Sequence, residues 1–145
     1  MRSKLFVVVA AAALLLAAAV PVLAHHAFAA EFDANRPVKL KGAVTKVDWT
    51  NPHIWIFLDV KGSDGKIVNW SVEGGAPNAL FRRGFNKNSL PLGTEVVMEG
   101  YHAKDGSNRI NGRSMTFAGG KTQFLGSSGT GAPTDGNDPS EAKKK

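Results

Sequence analysis

The 145-residue chain contains no cysteine, a single tyrosine and only four histidines. Without cysteine there is no disulfide staple and no thiolate metal site. The fold must hold by its apolar core, and any metal would be bound by histidine, carboxylate or backbone groups. A concentrated charge of either sign is also missing: 18 Lys and Arg against 12 Asp and Glu give a formal charge of +6, but the excess is spread along the chain. Nucleic-acid binders gather such charge into a stripe or patch, so the pattern speaks against nucleic acid as the partner. No internal repeat is visible, and the only long apolar run lies at the amino terminus.

That run has the order of a secretory signal. Arg2 and Lys4 precede an unbroken apolar stretch from Leu5 to Val20, Pro21 interrupts it, and Val22-Leu23-Ala24 brings small residues to the cleavage positions. A retained anchor is the alternative, since a spanning helix needs roughly 20 apolar residues. The alanine-rich run, the proline and the polar His25-His26 pair that follows favour cleavage, with no stable membrane span left behind. A second cut after Ala29, with Ala27 at the upstream small position, stays open. The expected address is periplasmic or secreted, and the lack of a lipobox cysteine argues against a lipoprotein. Removing residues 1–24 leaves 121, room for one domain of ordinary size. The expected organisation is a signal peptide over 1–24, an extended lead over 25–37, one domain over 38–118 and a polar tail over 119–145. The tail is rich in Gly, Ser, Thr, Pro and Asp, too poor in apolar surface to offset its ordering entropy, and is expected to be disordered.

Between lead and tail, β-branched and aromatic residues alternate with polar ones, bounded by Gly, Asn and Asp turns, which is the pattern of strands. The first expected strand runs from Val38 to Trp49, with Val38, Leu40, Val44 and Val47 inward and Gly42 at a bulge or bend. In the second, His53 to Val60, the residues Ile54, Ile56, Leu58 and Val60 take one face while Trp55 and Phe57 take the other. Ser63-Asp64-Gly65 then turns into a third strand, Ile67 to Glu73. A short helix over Pro77 to Arg83 begins with proline and stops at Gly84. Two more strands follow, Thr94 to His102 and Arg109 to Phe117. Three strands, a helix and two strands, with a long bent first strand, is the element order of an OB-fold, a five-stranded partly open barrel. The expected class is therefore all-β with one short helix. A five-stranded sandwich or SH3-like barrel shares most of these signals, but the helix between strands three and four discriminates against them.

Four stretches carry a resemblance: HHAFAAEFD after the apolar run, VTKVDWTNPHIWIFLDV, the segment from Trp70 through Pro77-Asn78 to Arg83-Gly84, and GYHAKDGSNR. Together they resemble an exported bacterial family known as domain of unknown function 6152. The most specific piece is Trp-Thr-Asn-Pro-His-x-Trp, Trp49 to Trp55. What the resemblance implies is export and one compact β-barrel domain, with no activity attached.

The chemistry must come from side chains. A cut after Ala24 would put a free α-amine and an imidazole on His25, with His26 beside it, a pair able to chelate copper or zinc. His53 and His102, at strand ends near the OB ligand loops, are the expected further ligands. A cut after Ala29 would remove the first two and the site with them. The plainer reading is that His53 bonds its turn and His102 closes a strand. A second candidate is the outer face of strands two and three, where an OB-fold meets its ligands. Trp55 and Phe57, with Trp49, Asn51 and Glu73, form an expected docking surface for a peptide, a glycan or an envelope protein; the alternative is that the helix or the lead covers the aromatics. Ser89, Ser107 and Ser114 lie in no nucleophile elbow, Gly74-Gly75 makes no phosphate loop, and the carboxylates are dispersed. Glu73 is expected to pair with Arg82 or Arg83. The chain is thus expected to be a non-enzymatic binding or accessory protein.

Overall fold

The computed structural model describes residues 28–126 and 132–133. The expected signal peptide over 1–24, His25, His26 and most of the tail lie outside the described residues. After a helical turn at residues 28–31, the elements are β1 (Phe32–Asp48), β2 (Trp55–Lys61), β3 (Ile67–Glu73), α1 (Pro77–Arg82), β4 (Glu95–Ala103), β5 (Arg109–Phe117) and β6 (Thr122–Phe124).

The strands hydrogen-bond in the order β3-β2-β1-β4-β5-β6, and a parallel pairing of β3 with β5 closes the first five into a ring. The protein is therefore an OB-fold-like five-stranded barrel, as the element order implies. β1 can serve two partners because it is long and curved. Its first part pairs with β4 from Phe32 to Ala43, and its second with β2 from Gly42 to Asp48. Gly42 stands at the crossover, opposite both Val60 and Val96. Of the bulge or bend expected at Gly42, the bulge lies further on, where the register with β2 shifts between Val44 and Lys46. Gly42 is required for space, since a Cβ would lie 2.5 Å from the Asp59 carbonyl oxygen.

The period-two pattern sends Ile54, Ile56 and Leu58 inward, each fully buried, to meet Leu40, Val44, Val72, Val96, Met98, Ile110 and Met115. Burying each such side chain contributes about 1.5–3 kcal/mol. Val38, Val47, Val60 and Trp70 only flank this core, and Val68 is exposed where the β2–β3 hairpin projects past it. α1 has proline at its first turn and places Leu80 in the same core, together with Phe85 and Leu90 beyond it, so the helix and its exit plug the barrel.

The lead expected to be extended and part of the tail expected to be disordered are both built into the fold. β1 reaches back to Phe32, and Phe28, Phe32 and Ala103 form a second buried cluster flanked by Tyr101. At the other end, the tail contributes β6 and a fully buried Leu125. The Leu125 amide donates to the Arg113 carbonyl, and its own carbonyl accepts from the Gly75 amide. Composition missed this because a single apolar side chain, placed against glycines that let the backbone close in, is enough to anchor a polar segment. A Cβ at Gly112 would lie 3.5 Å from Leu125 and 2.5 Å from Val72.

Candidate functional site

Along β2, even-numbered residues face the core and odd-numbered residues face out. Trp55, Phe57 and Asp59 accordingly lie in line on the outer face, opposite Glu73, Ser71 and Asn69 of β3. Trp55 and Phe57 remain partly exposed. The helix does not cover them, because α1 packs through Leu80 into the barrel interior. The lead does not either, because Phe28 and Phe32 pack on Tyr101 and Ala103.

The polar groups around these aromatics hold one another in place. Lys46 Nζ sits 5.1 Å from the centre of the Phe57 ring and 2.7 Å from Asp48 Oδ2. Asn69 Nδ2 donates to Asp59 Oδ1 at 2.8 Å and to Thr45 Oγ1 at 3.2 Å. At the far end of the row, His53 Nδ1 lies 2.5 Å from Glu73 Oε1. That hydrogen bond raises the His53 pKa above its ordinary 6.5, the pull of the Glu73 charge adds to it, and partial burial opposes it. The result is a band of donors and acceptors with two flat apolar surfaces in its middle.

Glu73 thus bonds His53 rather than an arginine at the helix end. Arg83 instead reaches across to the tail, where Nη1 donates to the Gly126 carbonyl oxygen at 2.6 Å. The glycine pair beside Glu73 serves packing: a Cβ on Gly74 would lie 2.7 Å from Ile54. Trp49 is a packing residue as well, its ring 5.9 Å from that of Phe85. Asn51 is exposed in the β1–β2 turn, where the Asn51–Pro52 peptide is cis. Asp59 and Asn69 follow from the alternation along strands two and three, whereas Lys46 and Asp48 belong to the site but carry no local signal, since only the pairing of β1 with β2 sets them beside the aromatics.

His53 and His102 do not converge. His102 Nδ1 is 2.8 Å from the Ala103 carbonyl oxygen, and its ring meets Trp70 edge-on at 5.5 Å. Trp70 and Glu73 are three residues apart on a regular strand, so they and their histidine partners lie on opposite faces. Among the described residues no group of three His, Asp or Glu side chains could hold a metal ion. The β4–β5 turn, the other expected ligand loop, is taken up by the lead. Arg109 Nη1 pairs with Glu31 Oε2 at 3.2 Å, the Lys104 amide donates to the Glu31 carbonyl, and Arg109 stacks over Phe32 at 5.4 Å.

The comparisons agree with the family resemblance. The model of a family of unknown function, DUF6152, matches residues 11–112. The chain belongs to this family. The matched span includes the outer aromatic row and the Trp49–Trp55 motif, and it ends within β5, ahead of β6 and Leu125. Comparison with curated proteins finds no match. Among solved structures, this DUF6152 chain is similar to the dimeric N-terminal domain of the PriB protein from Thermoanaerobacter tencongensis. The two share 21% identity with a TM-score of 0.40, over 58% of this chain and 97% of that one. Among the described residues no helix is long and apolar enough to cross a membrane.

Proposed function

We propose that the chain is an exported, non-enzymatic binding protein that docks an envelope glycan on the outer face of β1, β2 and β3. The observation that carries this reading is the row of Trp55 and Phe57, left partly exposed on a face where the barrel has its own core to bury them in. β2 is paired along both edges, so a peptide strand cannot be added there and recognition must run through side chains. Flat aromatic rings suit the C–H faces of sugars, and the flanking Asp48, Asp59, Asn69 and Glu73 suit their hydroxyls. The test is titration of the mature chain with soluble chito-oligosaccharides or peptidoglycan fragments, followed by tryptophan fluorescence. Trp49 on Phe85 and Trp70 on His102 are also only partly buried, so the part of a saturable change that Trp55→Ala removes is the part that reports Trp55. Trp55→Ala should weaken binding at least tenfold with thermal stability retained; silence with both glycan classes would refute the glycan reading.

A second reading has one observation in its favour. Phe28 is only 4% exposed in the cluster with Phe32 and Ala103. A cut after Ala29 would discard that anchor, so the packing favours processing after Ala24 and a mature chain that begins at His25. Copper or zinc capture then rests on the α-amine and imidazole of His25 with His26, without His53, which Glu73 engages, or His102, which packs on Trp70. Copper(II) affinity measured on the mature chain should survive His53→Ala and His102→Ala and fall at least tenfold with His25→Ala. Equal affinity in all three variants would exclude it.

A further inference from the structure

A short piece of the tail returns to the barrel wall far from the aromatic row. Ala132 packs against the cluster of Phe28, Phe32, Ala103 and Tyr101. Arg113 Nη1 donates to the carbonyl oxygen of Pro133. Tyr101 and Arg113 also line a groove of about 270 Å³ between β1 and β4, walled further by Pro37, Val38 and the Lys39–Glu99 ion pair at 2.8 Å. Ala132 and Pro133 meet the groove at its Tyr101–Arg113 end and are not among the residues that line it.

The chemistry of this seat is selective. Proline has no backbone N–H, so its carbonyl oxygen is the one hydrogen-bonding handle it offers, while its ring is flat and apolar. A guanidinium donor aimed at that carbonyl, next to aromatic and aliphatic walls, is the arrangement that docks extended proline-containing segments, whose low conformational entropy makes binding less costly. We propose that the β1–β4 groove is a binding site for an extended proline-containing peptide, and that Ala132–Pro133 of the chain's own tail, seated on Arg113 at the groove's end, is the tethered segment that competes for it. Only five residues separate Ala132 from Gly126, whose carbonyl is held by Arg83. So short a tether gives a local concentration on the order of millimolar, enough to keep a weak contact filled. An incoming peptide therefore binds only by displacing the tail. This surface is separate from the β2–β3 face, and its fate is independent of the glycan reading.

The test uses the full mature chain, in wild-type form and as the double variant Ala132→Asp, Pro133→Gly, titrated with a synthetic peptide of residues 128–137 while backbone amide shifts are followed. The double variant should itself shift the amides of Tyr101, Lys39 and Arg113. It should then bind the peptide at least tenfold more tightly than wild type, which should show no response up to about 1 mM. Adding Arg113→Gln to the double variant should remove that gain. Unchanged Tyr101 and Arg113 amides in the double variant, with no peptide uptake, would overturn the proposal. So would a wild-type dimer in sedimentation that the double variant abolishes, because the tail would then be seated in a second copy.

Discussion

His53 shows how a single contact sets both the position and the titration of a residue. Its bond to Glu73 ties the start of β2 to the end of β3 and lifts its pKa above the ordinary 6.5. The protonated imidazole is therefore favoured in the folded state. Its stabilising contribution is fully present below the unfolded value and is lost as pH rises through the raised folded value. Thermal unfolding of the wild type should show a fall in stability above about pH 6.5 that Glu73→Gln flattens. Because the pair is partly solvent-exposed, the effect at acidic pH should stay within about 1 kcal/mol. An identical pH profile in wild type and Glu73→Gln would mean that the contact contributes nothing to folding. Gly100 is decided by close approach instead. A Cβ there would lie 2.1 Å from the Asn111 carbonyl oxygen at the register shift between β4 and β5. Gly100→Ala should therefore destabilise by about 1–3 kcal/mol, the usual result of overpacking, readable in a denaturant melt.

Among the elements, β1 and β6 depart most from what local pattern implies. The alternation in Val38–Val47 marks β1, but its extension back to Phe32 passes through Ala34, Asn35 and Arg36, which are exposed and carry no strand pattern of their own. That stretch bulges between the Phe32–Ala103 and Pro37–Tyr101 pairs with β4 and is anchored beyond by the Phe28–Tyr101 contact, whose ring centres are 5.5 Å apart. β6 has three residues and an ordinary polar flank, and it exists because Leu125 reaches the core beside Gly74 and Gly112. Leu125→Ala should cost about 2–5 kcal/mol, the range for truncating a fully buried leucine. A loss below about 0.5 kcal/mol, as at a surface site, would show that the tail only rests on the barrel. β3 keeps its expected bounds and β2 its expected inward residues Ile56 and Leu58, because a buried face and a hairpin turn fix register together, but of Val68, Trp70 and Val72, expected on the buried face of β3, only Val72 is fully buried.

For the molecule as a whole, the amino-terminal lead and the tail meet on one wall of the barrel, with Phe28, Tyr101 and Ala132 in one cluster. The Phe28 anchor makes processing a structural matter. The intact mass of protein recovered from an exporting host should correspond to a chain starting at His25, and a start at Ala30 would mean that the barrel tolerates losing that cluster. The single β domain, the OB element order and the outward setting of Trp55 and Phe57 could all be read from the sequence. Each depends on composition or on a period of two or 3.6 residues along a short stretch. What tertiary structure alone decided is which distant groups meet: Glu73 with His53 rather than an arginine, His102 with Trp70 rather than His53, Gly74-Gly75 with Ile54 and Leu125, Arg113 with Pro133. Those partnerships depend on the closing of β3 against β5 and on how β1 divides itself between two neighbours. Such long-range choices are made by core packing and close backbone approach, and no local pattern encodes them.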